Sequence, residues 1–160
     1  MSRYAEGTSV TPEKSQQEIS ATIRRYGASK LAVAWEDRRA MVAFGAHNLH
    51  VRMILDLPSP DDAEFRTTPT GRGRDTAARK SACEAEIRRR WRALALAIKA
   101  KLEAVETGIT SFEDEFMAHI VLPDGTTVSE HVAPAIRQAY AQGSIAPFIP
   151  LPKAIEGGRS

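Results

Sequence analysis

The chain has 160 residues and is short of cysteine and of aromatic side chains; each shortage excludes something. A single cysteine, Cys83, rules out an internal disulfide and points to a reducing compartment. No apolar run approaches the roughly 18 residues that a membrane span needs, so no membrane contact is expected. The opening MSRYAEGTSV has no apolar segment and does not read as a secretory signal. No glycine-rich phosphate loop follows a strand and no nucleophile–base motif is visible, so neither an enzyme nor a cofactor is expected. The net charge of +2 is too small to imply a nucleic-acid partner by itself. What remains is ordinary globular composition, 42 % hydrophobic and 26 % charged, long enough to bury a core without staples. The expected setting is cytoplasmic.

The chain is organised around one stretch, Asp75 to Glu106. Ile87, Trp91, Leu94, Ala95, Ile98, Leu102 and Val105 recur in steps of three and four, which is one apolar stripe on a long helix. Ahead of it, Thr11, Pro12 and Glu13 open a first helix that Gly27 closes, with Ile19, Ile23 and Tyr26 as a thin buried face that should lie across a sheet. The period then changes to two. Lys30–Glu36, Ala40–Phe44 and a strand beginning at Leu49 form an antiparallel meander joined by short turns, with Leu31, Val33 and Trp35 on one face of the first. Residues 58–74, PSPDDAEFRTTPTGRGR, read as a flexible basic loop.

After Gly108, Thr110–Glu113 fits a capping box for a short helix through about His119. Thr127–Glu130 fits a second for a last helix to Gln142, in which Pro134 should force a kink or a restart. The fold class is therefore α+β: an N-terminal helix, a three-stranded antiparallel meander, a long central helix and two shorter C-terminal helices. Residues 1–10 read as a flexible arm, 11–152 as one domain, and 153–160 as a flexible tail. Within 144–152, Ile145, Phe148, Ile149 and Leu151 are expected to pack down.

The strongest functional signal is where charge falls. Between Phe65 and Arg92 nine basic residues meet three acids, a local net of +6, and eight of the nine are arginine. Between Glu103 and Glu130 there are seven acids and neither lysine nor arginine. Arginine suits bidentate contact with phosphate or carboxylate. The sharp reading is a nucleic-acid-binding surface in which Arg66, Arg72, Arg74, Arg79 and Lys80 grip the backbone and Arg88, Arg89 and Arg92 extend the track. The bland readings are a basic half that faces the chain's own acidic segment or a neighbour's, and a solvated helix with Glu84–Arg88 and Glu86–Arg90 pairs.

Weaker signals sit beside it. Tyr4, Trp35, Phe44 and His50 would be stacking platforms only on an open face, and aromatic residues in strands are more often core. His119, Asp124 and His131 bracket a turn that could converge on a metal, although nothing in their spacing forces it. Cys83 reads as a small packing residue, with Arg79 and Lys80 close enough in sequence to lower its pKa.

The segment RRRWRALALAIKAKLEAVETGITSFEDEFMAHIVLPDGTTVSEHVAPAIRQAY, with the opening TPEKSQQEISATIRRYGASKLAVAW, resembles a family of small uncharacterised bacteriophage and prophage proteins. The resemblance covers most of the chain. It implies a bacterial host cell and carries over no catalytic residue. The order helix, three-stranded meander, long helix is also that of double-stranded-RNA-binding domains. Three strands followed by a helix recur in single-strand annealing proteins. Where the RNA-binding domains carry Lys-Lys-x-Ala-Lys, this chain has Ala77-Ala78-Arg79-Lys80-Ser81.

The expected function is thus a non-enzymatic nucleic-acid-binding accessory protein of phage DNA metabolism. DNA is favoured over RNA, and a homo-oligomer would form by meeting of acidic and basic halves. The alternative is an interaction module that binds or inhibits a host protein through its acidic C-terminal half and Pro147, Pro150 and Pro152.

Overall fold

A computed structural model describes residues 4–143. The expectations for 144–160, including the packing of Ile145, Phe148, Ile149 and Leu151, lie outside the described residues. The element order is α1 (Pro12–Arg25), β1 (Lys30–Glu36), β2 (Arg39–Ala46), β3 (Leu49–Asp56), α2 (Thr76–Glu106), α3 (Phe112–Phe116) and α4 (Val128–Gln142). Single 3-10 turns sit at Ala63–Phe65 and Met117–His119. This is the α+β arrangement of an N-terminal helix, a three-stranded antiparallel sheet, a long central helix and shorter C-terminal helices.

The sheet order is β1-β2-β3, and its register places the apolar residues in rows. Val33 lies opposite Val42 and Val42 opposite Met53; Leu31, Phe44 and Val51 form the next row. These rows face the helices. His47 and Asn48 both have positive φ, the conformation of the tight hairpin turn whose twist suits antiparallel strands, so β2 runs on to Ala46. Trp35, expected in the core, is 69 % exposed near the end of the edge strand β1, although its cross-strand neighbour Ala40 is buried. The outer edge of β3 is partly covered: Ile120 bridges Val51, and the Val121 N–H donates to the His50 carbonyl at 2.8 Å.

Thr11 caps α1 by accepting from the Lys14 N–H, and Ser15, Ile19 and Ile23 form its buried face. That face packs beside α2, and Ile19 and Ile23 join one core with Val42, Phe44 and Val51 of the sheet. The expected stripe on α2 is present, with Trp91, Ala95, Ile98 and Leu102 buried and Ile87, Leu94 and Val105 at its margins. Phe112 and Phe116 from α3 close the core against Phe44, the Phe44 and Phe116 rings meeting edge-on at 5.6 Å. Burying one such ring is worth about 2–3 kcal/mol.

Three local expectations shift. The cap of α3 is Ser111, which accepts from the Asp114 N–H, one residue later than the expected Thr110–Glu113 box. The Thr127–Glu130 box is formed as expected. Of the two outcomes expected at Pro134, the restart does not occur: α4 continues through it. The 58–74 segment is also more organised than a structureless loop. Phe65 is buried, Thr67 bridges Gly73, and the Arg74 N–H donates to the Arg66 carbonyl at 2.8 Å. Residues 66–74 therefore form a small hairpin, turned at Gly71 with φ 84°.

Candidate nucleic-acid interface

The arginines of the basic run divide into those the fold uses and those it leaves free. Glu86, on the buried side of α2's first half, takes two hydrogen bonds from Arg89, at 2.7 and 2.6 Å, and one from Arg90 at 2.9 Å. The Arg89 hydrogen bonds outweigh the cost of burial and hold the Glu86 carboxyl down to about 2. Arg89 also donates to the Tyr4 carbonyl and so ties the start of the chain to α2. Arg90 donates to the Asp56 carbonyl at 2.7 Å and faces Glu64. Arg92 is paired with Glu18 of α1. Within the expected track, Arg89 is thus held by Glu86 and the Tyr4 carbonyl, and Arg92 by Glu18 alone.

Arg74 and Arg79 are intermediate. Arg74 donates to the Thr67 carbonyl at 2.7 Å and Arg79 to the Arg74 carbonyl at 3.1 Å, so together they brace the 66–74 hairpin against the start of α2. Both bonds go to neutral carbonyls and leave the charge uncompensated. Arg66 makes only a long contact, 3.4 Å, to the Asp61 carbonyl. The side chains of Arg72, Lys80 and Arg88 make no hydrogen bond or ion pair among the described residues. Arg66, Arg72 and Lys80 are exposed, while Arg79 and Arg88 are half-buried. The geometry thus gathers Arg66, Arg72, Arg79 and Lys80 around the hairpin and the first turns of α2, with Arg88 two turns on and Glu84 between it and Lys80.

The surplus of +6 counted along the chain shrinks in three dimensions. Two carboxylates from elsewhere pair with arginines of that run, Glu18 with Arg92 and Glu64 with Arg90, while Asp56 and Asp62 pair with Arg39 and Arg38, which lie outside the count. Asp62 is held below its usual range first by the Ser59 N–H and then by the Arg38 fork. The neutralising acids therefore come from α1 and from residues 56–64, and not from the Glu103–Glu130 segment. That segment makes its own pairs, Lys101–Glu115 and Arg52–Glu130, both at 3.0 Å. Sequence reasoning missed Arg39, which joins the basic end and pairs only loosely, at 3.6 Å with both partners mostly exposed. Its place in a polar turn gave no signal.

A cleft of about 510 Å³ opens between residues 6–7, the hairpin and α2. Glu6, Glu64 and Glu86 line it with Arg74 and Arg89, three carboxylates against two guanidiniums, so it is not a phosphate pocket. The free cations lie outside it.

The weaker candidates do not converge. Phe44 is core, Trp35 and Tyr4 are exposed at separate places, and His50 is on the opposite face of the sheet from Trp35, so they form no common stacking platform. Among the described residues no three His, Cys, Asp or Glu side chains gather where a metal ion could sit. Asp124 accepts instead from the backbone and hydroxyl of Thr126. Cys83 is buried against the Pro58 carbonyl, and burial pushes its thiol pKa up, opposite to the effect expected from Arg79 and Lys80. Among the described residues no helix is long and apolar enough to cross a membrane. Comparisons of the chain with family models, with curated proteins and with solved structures found no match.

Proposed function

We propose that this chain is a non-enzymatic nucleic-acid-binding accessory protein that contacts the phosphate backbone, with DNA the favoured ligand and phage DNA metabolism the setting. The observation that carries the reading is the group of cations without a carboxylate partner among the described residues: Arg66, Arg72, Arg79 and Lys80, with Arg88 beyond them; Arg74, also without an ion pair, lines the acidic cleft instead. The charge order of α2 supports it. No acid lies in its first turn and no base in its last. The carboxylate at its start is the N-cap Asp75, which accepts from the Ala78 N–H at 2.8 Å, and Arg79 and Lys80 follow it.

The contact is to backbone, so it is insensitive to sequence and sensitive to salt. Five phosphate contacts give a slope of log K against log salt of about −4.5 on duplex DNA, against about −7 for all eight predicted residues. Fluorescence anisotropy with a labelled duplex and a labelled single strand measures it. Neutralising Arg72, Lys80 and Arg88 to glutamine should flatten the slope by about 2–3, whereas Arg92→Gln should leave it unchanged. Absence of binding at low salt would refute the proposal. A second reading, a protein-contact module, is favoured by α4, which buries no residue and exposes Ile136 and Tyr140. Partner binding there would barely respond to salt.

A further inference from the structure

The fold treats its two sheet edges differently. Ile120 and Val121 cover part of β3, but among the described residues no segment pairs with the outer edge of β1. β1 reads Lys-Leu-Ala-Val-Ala-Trp-Glu, with no proline, no central charge and no bulge in its pairing with β2. Those are the devices that normally keep an edge strand from pairing with another chain. Trp35 adds a large apolar side chain left 69 % exposed on the helix side of this strand.

The strand is also complementary to itself. Antiparallel pairing centred on Val33 sets Lys30 opposite Glu36, Leu31 opposite Trp35 and Ala32 opposite Ala34 of the other copy. The two charged residues share the open face of the sheet, and neither side chain has a hydrogen bond or ion pair among the described residues. Leu31 and Trp35 share the helix face, so the same register that pairs the charges covers the exposed indole. Beside Val33 a shallow groove is lined from α1 by Glu13 near the helix start and Arg24 near its end. A two-fold axis through Val33 brings Glu13 of one copy towards Arg24 of the other.

We propose that β1 is a homodimer interface: two copies join edge to edge into a six-stranded sheet ordered β3-β2-β1-β1-β2-β3. The contact is isologous and uses up the open edge, so it closes at two subunits rather than growing into a filament. It sets the basic end of one copy beside the acidic end of the other. This differs from a head-to-tail assembly of acidic and basic halves, and it does not depend on nucleic-acid binding.

Light scattering on the full chain should give a mass twice the 17.5 kDa of one copy. Lys30→Glu opposes two carboxylates at both ends of the paired strands, and Glu36→Lys opposes two ammonium groups. Each alone should weaken association by about tenfold or more, and the double substitution should restore it. Both side chains are exposed, and far-UV circular dichroism reports that the fold is kept. Trp35 emission should shift to the blue on association, while Trp91, already buried, should not change. A monomeric full chain, a dimer indifferent to either single substitution, or a double substitution that fails to restore the dimer would each overturn the proposal.

Discussion

Glu86→Gln tests whether the central arginines are held by the fold or offered to a ligand. The substitution keeps the side-chain volume and removes the charge that two guanidiniums share. The Glu86 side chain is 9 % exposed, and Arg89 and Arg90 are 21 % and 27 % exposed, so the pairing is only partly screened by water. The carboxyl sits at about 2 in the folded protein against an ordinary value of 4.5. A folded pKa below the unfolded one stabilises at pH above the unfolded value, and that contribution is lost as pH falls through the folded value. The difference corresponds to about 3 kcal/mol at about pH 5 and above, and to about 1.5 kcal/mol near pH 3.

Thermal unfolding followed by circular dichroism should place Glu86→Gln roughly 5–10 °C below the parent at neutral pH. The gap should narrow to about half by about pH 3. The variant should also bind nucleic acid with a steeper salt slope, by about 1–2, because Arg89 and Arg90 lose their carboxylate. Equal melting temperatures at neutral pH, or a gap that stays constant down to about pH 3, would refute the account of Glu86.

Two further outcomes follow from single contacts. Cys83, buried with its thiol pKa raised, should resist alkylation in the folded protein and react at once on unfolding. Modification of the native chain at the rate of a free thiol would contradict its placement. Thr127→Ala removes the hydroxyl that accepts from the Glu130 N–H and should cost about 1 kcal/mol. Hydrogen exchange should then quicken in α4, which buries no residue of its own, before it changes in α2. Equal quickening in both helices would show that α4 unfolds only with the whole.

The sequence by itself determined the elements. The three-and-four spacing from Ile87 to Val105, the alternation in β1 to β3, and the Thr11 and Thr127 caps are local signals. Helix and strand formation respond to neighbours within a few residues. It also located the cations, since a count along the chain needs no structure. What it could not determine was which of them were already occupied. Glu18 lies 74 residues from Arg92, and Asp56 and Glu64 belong to segments far from Arg90 in sequence. Ion pairing depends on distance through space, and only the packing of α1 and residues 56–64 against α2 sets that distance. For the same reason Trp35, apolar and correctly phased for a core, ended exposed: the period of a strand says which face a side chain takes, and only the tertiary structure decides whether that position on the face is covered.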